Sequence, residues 1–172
     1  MTIEEIVRGL RSNTIRRPDL PASEWESPTR YASSFSKDRA GAQECDIATG
    51  GHCPQDLKEF WQLASWGKIF EDVTTQQWGL EILTPEEAVI ATNAFFERAQ
   101  PKNTAKGDVI LGRFIGDSDL LLVRADPQSP DFGRIIVVTG VIDPRPDWEI
   151  VAESFGEFLN RYVAARGDRY WS

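Results

Sequence analysis

The side chains with the widest chemical repertoire in this sequence, cysteine and histidine, lie close together. The only histidine, His52, directly precedes Cys53, and the other cysteine is Cys45. A cysteine and a histidine act as nucleophile and base only when their side chains converge, whereas those of adjacent residues usually point apart. The three residues also lack the spacing of a zinc site, which takes three or four ligands. We therefore expect no catalytic pair and no metal, and we interpret Cys53 as a small apolar residue at a helix start.

Three short motifs resemble ligand-binding signatures but are incomplete. The stretch 107–114 begins like a phosphate-binding loop, yet it lacks the Lys-Ser/Thr pair that holds phosphate and magnesium. Asp-Phe-Gly at 131–133 matches a kinase tripeptide, but the sequence contains no His-Arg-Asp. Asp-Ser-Asp at 117–119 could ligate a cation, but Leu121 occupies the next ligand offset, which favours a turn. We expect no cofactor.

The charge balance argues against nucleic acid as a partner. The 172 residues carry 27 acidic and 19 basic side chains, which leaves a net charge of −8. Nucleic-acid binders usually present a basic face, because counterion release from phosphates supplies much of their affinity. An acidic chain is better matched to a basic protein, although many acidic proteins are merely well solvated.

The acidic residues are concentrated in three segments, 71–87, 117–131 and 143–157, whose net charges are −5, −3 and −4. The rest of the chain is therefore net positive. If the segments converge in the fold, they form an acidic surface that steers a basic partner, and an exposed tryptophan beside them would be a suitable anchor. The alternative is three separate solvated faces, with most tryptophans in the core. The candidate partner-binding residues are Glu71, Asp72, Trp78, Glu81, Asp117, Asp119, Asp126, Asp131, Trp148 and Glu149.

Nothing in the sequence indicates a membrane or an exported protein. No run of 18 apolar residues occurs, so we expect no membrane span. The first ten residues carry Glu4 and Glu5, where a signal peptide needs a basic start and an unbroken apolar stretch. Two cysteines in a chain of this length do not make a disulfide framework. We predict a cytoplasmic protein.

Helical signals occur at the start, in the middle and at the end of the chain. Thr2 and Glu5 form a capping box before apolar residues at helical spacing, and similar boxes are predicted at Thr84 and Ser154. We predict helices over 3–11, from Pro54 to a stop at Trp66-Gly67, over 85–100, and from Ser154 to a stop at Gly167, with partial helix over 42–48. The remainder of 12–51 lacks periodicity and is predicted to be an ordered loop or, equally, a mobile insertion.

Apolar runs and alternation predict the strands, which we place at 68–73, 78–83, 108–115, 119–125 and 134–139. The runs 120–123 and 135–138 are continuously apolar, which is typical of strands covered on both faces. The prediction is a single α+β domain over 1–172, with an antiparallel, or alternatively mixed, sheet of about five strands and helices before, within and after it.

The order of these elements resembles the SUKH superfamily. Residues 53–61 resemble the opening helix of that family, 115–121 its Gly-Asp turn and apolar strand, 133–138 its next strand, and 152–159 its closing Ser-Phe-x-x-Phe-Leu helix. The resemblance divides the chain into a helix with an irregular extension over 1–52 and a SUKH-like core over 53–166. Residues 85–100 look like an insertion in that core.

The resemblance implies a binding module without a cofactor or a catalytic set. Many bacterial members are immunity proteins that neutralise polymorphic toxins, fungal members regulate cell-wall synthesis, and another branch binds a translocon component. We therefore expect a non-enzymatic immunity protein that meets a basic toxin through an acidic surface. A regulatory or scaffold protein with a housekeeping partner is one alternative, and a small hydrolase with paired carboxylates is another.

Overall fold

The computed structural model describes residues 1–15 and 31–172, and within them the predicted α+β class is confirmed. The helices are α1 (Ile3–Arg11), α2 (Ala42–Ala48), α3 (Gln55–Leu63), α4 (Pro85–Arg98) and α5 (Phe155–Ala164). The strands are β1 (Tyr31–Phe35), β2 (Gly67–Asp72), β3 (Leu80–Ile82), β4 (Asp108–Phe114), β5 (Leu120–Arg124), β6 (Ile135–Val138) and β7 (Glu149–Ala152). The part of the 12–51 prediction that falls on 16–30 lies outside the described residues.

The strands form one antiparallel sheet in chain order, from β1 at one edge to β7 at the other. The sheet has seven strands instead of the predicted five or so, because the sequence patterns do not predict the two edge strands, β1 and β7. In β1 no residue is fully buried, and in β7 two exposed residues precede two buried ones. Their sequences, Tyr-Ala-Ser-Ser-Phe and Glu-Ile-Val-Ala, do not alternate apolar and polar residues, which is the pattern that marks a strand in sequence.

Helices α1, α3 and α5 pack together, and α3 and α5 share an aromatic cluster with one face of the sheet. Phe60 of α3 meets Phe155 of α5 edge-on, with ring centroids 5.5 Å apart. Tyr162 of α5 contacts Phe114 of β4 and Phe70 of β2, at 6.4 and 6.2 Å. The large area that these rings bury makes this cluster the centre of the core.

The opposite face of the sheet is partly covered by the connection between β6 and β7, residues 139–148. This segment starts at the end of the sheet that holds the β4–β5 turn, but Arg145 reaches back to Asp108 at the start of β4. Trp148 is buried against Phe95 of α4, with centroids 5.8 Å apart. All four residues of β6 are buried, as the continuously apolar run predicted.

Helix α4 packs beside β4, beyond the end of the short strand β3. The backbone N–H of Ile110 in β4 donates to the hydroxyl of Thr92 in α4, over 2.9 Å, where a longer β3 would have provided a carbonyl. A side chain thus satisfies a backbone donor that an uncovered strand edge would expose. The predicted capping box at Thr84 is confirmed, and it fixes the start of α4. Helix α2 packs against α4 and α3.

The two glycines predicted to end helices, Gly67 and Gly167, have different roles in the structure. Helix α3 ends at Leu63, so the predicted stop at Gly67 was wrong: Gly67 opens β2, where an added Cβ would lie 2.6 Å from the ring of Phe35. Close packing, and not a left-handed backbone, requires glycine there. After α5, Gly167 does have a φ of +85°, and its N–H donates to the carbonyl of Tyr162, as a stop predicts.

Candidate interaction surfaces

Most carboxylates of the three acidic segments have a cationic or backbone partner within the fold. On β2, β3 and β4, Lys68, Glu81 and Arg113 lie directly opposite one another. Glu71 bonds Lys68 at 2.8 Å, and Glu81 pairs with Arg113. Asp72 is buried and accepts hydrogen bonds in the turn after β2 from the backbone N–H groups of Thr74 and Thr75. The carboxylates of Glu71 and Glu81 therefore belong to a charge-balanced sheet face.

The second acidic segment is held at one end of the sheet by a cation from the C-terminal part of the chain. Arg169 bonds Asp117 at 2.5 Å and Asp119 at 2.9 Å. Asp117 also accepts from the backbone N–H of Ser118, so the predicted turn is confirmed. Trp78, half-buried, lines a cavity of about 110 Å³ with Asp117 and Arg169. Trp78 of the first acidic segment therefore lies near the Asp117 turn of the second, where the single positive charge of Arg169 offsets part of the charge of Asp117 and Asp119.

The two carboxylates of this turn have opposite pKa shifts. Burial, and then the charge of Asp117, raise the pKa of Asp119 above its ordinary value, although Arg169 acts in the other direction. Partial burial also works to raise the pKa of Asp117, but bonds from Arg169 and from the backbone N–H of Ser118 outweigh it and hold that pKa below its ordinary value. Paired carboxylates are what the hydrolase hypothesis requires, but the adjoining cavity is smaller than the roughly 300–1,000 Å³ of typical ligand sites.

We predict that Arg169→Gln loses about 1–2 kcal/mol of unfolding free energy at pH 7, since it leaves a buried carboxylate without its cation. Without Arg169 the pKa of both carboxyls rises. The low pKa of Asp117 contributes stability that is present above its unfolded pKa and lost on acidification, whereas the raised pKa of Asp119 makes its ionisation unfavourable as pH rises. The deficit should therefore shrink as pH falls from about 6 to about 3, where both groups take up protons.

Urea unfolding at several pH values measures this difference. Arg134→Gln is the matched control, because Arg134 pairs at 2.9 Å with Glu153, whose side chain is 71% exposed, and we expect a loss below about 0.5 kcal/mol. A deficit in Arg169→Gln that stays constant over this pH range would contradict the prediction and would indicate lost packing of Arg169 on the ring of Phe114.

A buried ionic cluster accounts for Asp131, another candidate residue. Arg124, at the end of β5, bonds Asp131 at 2.9 Å and Asp108 at 2.5 Å, and Arg145 bonds the other oxygen of Asp108 at 2.6 Å. Partial burial would raise the pKa of Asp131, but bonds from Ser129 and Arg124 outweigh it and keep the pKa low. The cluster ties together three segments distant in sequence, so Asp131 has a structural role.

The remaining candidates divide between the surface and the interior. Asp126, half-buried, accepts from the backbone N–H of Gln128 in the β5–β6 connection, at the opposite end of the sheet from Asp117. Trp148 is buried, and its indole N–H donates to the carbonyl of Gly140. Glu149 is exposed at the start of β7. Of the ten candidates, Asp117 and Glu149 are the exposed ones, although Asp117 is paired with Arg169, and both lie at the same end of the sheet.

The cysteines and the histidine are poorly suited to catalysis. His52 is exposed, while burial, and then Cys45, raise the pKa of Cys53 to about 12. A thiol with that pKa carries almost no thiolate, which is the nucleophilic form. Within residues 1–15 and 31–172 no three His, Cys, Asp or Glu side chains are grouped as a metal site would need. In the same ranges no helix is both long and apolar enough to cross a membrane.

A groove that the sequence patterns did not predict lies between α2 and α4. It has a volume of about 580 Å³. Its walls carry Ile47 of α2, 66% exposed, and Ile90 of α4, 62% exposed. One sequence signal points to this groove, namely Ile90. Ala88 and Phe95 lie two helical turns apart and are buried on one side of α4, which places Ile90 on the opposite side.

Helices on one face of an antiparallel sheet, with α4 beside β4, define an α+β domain that carries a groove between α2 and α4. Comparison with protein families gives the particular assignment, since residues 50–161 match the model of the SMI1 / KNR4 family (SUKH-1). The match covers more than half of the chain, so the chain belongs to the SUKH-1 family, and the predicted resemblance is confirmed. A search of the curated proteins finds no match. Membership is consistent with an immunity or a regulatory module.

Proposed function

We propose that this chain is a non-enzymatic protein-binding module that acts in the cytoplasm as an immunity protein, neutralising a basic toxin by docking on it. The observation that carries the proposal is the groove between α2 and α4, whose two exposed isoleucines leave aliphatic surface open to solvent. Exposed apolar surface rimmed by polar residues is typical of a binding site. Membership of the SUKH-1 family and the net charge of −8 support the same function.

The sign of the charge favours a basic partner even though many carboxylates are paired within the fold. Intramolecular pairing neutralises acids and bases one for one, so the net charge of −8 remains. Long-range attraction depends on this net charge and its distribution, and it raises the rate of association with a cationic protein. Glu149, exposed at one end of the sheet, would add to that attraction.

The test is co-expression with the toxin-like proteins encoded beside its gene. We expect one of them to lose its toxicity and to co-purify with the chain, at a rate of association that falls as salt rises from about 50 to about 500 mM, because the Debye length shortens over that range. If none of these proteins is bound or neutralised, and a housekeeping protein co-purifies instead, the immunity function is overturned in favour of the regulatory alternative.

A further inference from the structure

We propose that the α2–α4 groove receives an amphipathic α-helix of the partner, with an aliphatic side chain seated between Ile47 and Ile90 and lysine or arginine side chains at the rim. The proposal rests on the proposed function and adds to it the place of contact and the chemistry of the ligand. Neither α2 nor α4 contributes a residue to the ten candidates that the sequence suggested.

The apolar part of the argument concerns side chains that helices normally bury. Ile3 and Ile6 of α1 are buried to 4% and 0% exposure, whereas Ile47 and Ile90 are more than half exposed. Ala48, Pro85 and Val89 line the groove between these two isoleucines. Aliphatic side chains thus make up half of the lining, which suits a leucine-like side chain, and the other half is polar or charged.

The shape of the groove favours a helix over an extended strand. Both walls are helices, so the groove does not offer the row of free backbone donors and acceptors that an added strand would need. Helix-in-groove recognition instead uses side chains of one helical face, at i, i+3, i+4 and i+7. Phe96, 42% exposed, lies seven residues after Val89 and so continues the same side of α4 toward its C-terminal end.

The rim supplies the charge complementarity. Asp38, Glu44 and Glu86 line the groove together with one base, Arg39, which leaves the rim at −2. In the part of the chain that the structure describes, none of these three carboxylates forms an ion pair with the fold. They differ in this from the ion-paired carboxylates of the sheet. Glu44 also accepts a bond from the backbone N–H of Gly41 at 2.6 Å, but its charge is not offset by a cation, so all three can attract cationic side chains on either side of a partner's apolar residue.

The apolar contact is tested by Ile47→Asn and Ile90→Asn, which remove aliphatic surface without changing charge. Because both side chains are mostly exposed, we expect the variants to fold, as circular dichroism would check. We expect each to weaken binding of the neutralised toxin at least tenfold by calorimetry. Ile142→Asn is the matched control, because Ile142 is 75% exposed in the β6–β7 connection, and it should bind like the wild type.

The charge contact is tested by Glu86→Lys, which we expect to slow association and weaken binding about tenfold. Glu59→Lys makes the same change at an exposed position of α3 outside the groove and should have a much smaller effect. If the toxin binds and all the groove variants bind it equally tightly, the groove proposal is overturned while the proposed function stands.

A second probe decides the groove proposal even if no neighbouring toxin binds. A synthetic helical peptide of leucine and lysine, with leucines on one face, should shift the methyl resonances of Ile47, Ile90 and Ala48 in the wild-type protein. A peptide of the same composition without an apolar face should not. The proposal is overturned if the shifts occur elsewhere, if only a small apolar molecule produces them, or if Ile90→Asn abolishes self-association, which would make a second copy of this chain the occupant.

Discussion

Asp108→Asn is expected to lower the free energy of unfolding by about 3 kcal/mol, the low end for breaking a buried ion pair, because Arg124 and Arg145 lose the carboxylate that they share and only Arg124 keeps another, Asp131. The side chain of Asp108 is 0% exposed and that of Arg124 is 5% exposed. Asparagine keeps the shape of the side chain but removes the negative charge shared by Arg124 and Arg145. Urea unfolding followed by circular dichroism at pH 7 measures the difference.

The control for this substitution is Glu153→Gln, which removes the same charge from an arginine pair at the surface. Because Glu153 is 71% exposed, we expect a loss below about 0.5 kcal/mol. Equal losses of unfolding free energy in the two variants would contradict the prediction, because they would show that the ion pairs of Asp108 contribute no more stability than an exposed pair. Asp131 retains its bond to Arg124 in Asp108→Asn, so the double variant with Asp131→Asn should lose more than either single one.

Phe158→Ala is expected to lower the free energy of unfolding by about 3–5 kcal/mol through the lost burial and the cavity that it leaves. Phe158 of α5 is fully buried and stacks on Tyr162 with ring centroids 5.6 Å apart. It also contacts Tyr170 and Trp171, so the variant should loosen the C-terminal residues as well. Urea unfolding measures the first effect, and hydrogen exchange of residues 165–172 measures the second.

Phe132→Ala is the matched control, because Phe132 is 39% exposed in the β5–β6 connection. We expect a change below about 1 kcal/mol, in line with surface substitutions away from special features. A comparable loss in both variants, or unchanged exchange at the C-terminal end of Phe158→Ala, would contradict the central place of this ring in the core.

The parts of the fold that sequence patterns predicted are those that depend on short-range signals. The capping boxes at Thr2 and Thr84 lie within three residues of their partners, and both helix starts were predicted correctly. Strands β5 and β6 were found from unbroken apolar runs. Strand β1 contains serines and buries no residue completely. Its place in the sheet comes from pairing with β2, some 35 residues away, which a local pattern does not record.

The candidate surface was harder to predict because charge in a folded protein depends on pairing across the chain. Counting acids and bases within 117–131 missed Arg169, which lies 52 positions after Asp117 and pairs with both carboxylates of the turn. The net charge counted for the segment was correct, but the sequence does not show which of its carboxylates are free to contact a partner. The exposure of Ile47 and Ile90 likewise depends on how α2 packs against α4, and each isoleucine alone is an ordinary helical residue.

The sheet order has a consequence for synthesis on the ribosome. Because each described strand pairs with the strands before and after it in the chain, the growing polypeptide can add one strand at a time without waiting for distant segments. Helix α1 differs, since Met1 bonds the amide of Asn160 in α5, 159 positions later. The apolar side of α1 packs on β1 and α3, which are synthesised before α5, so that side is covered early and the bonds to Asn160 close the domain once α5 is complete.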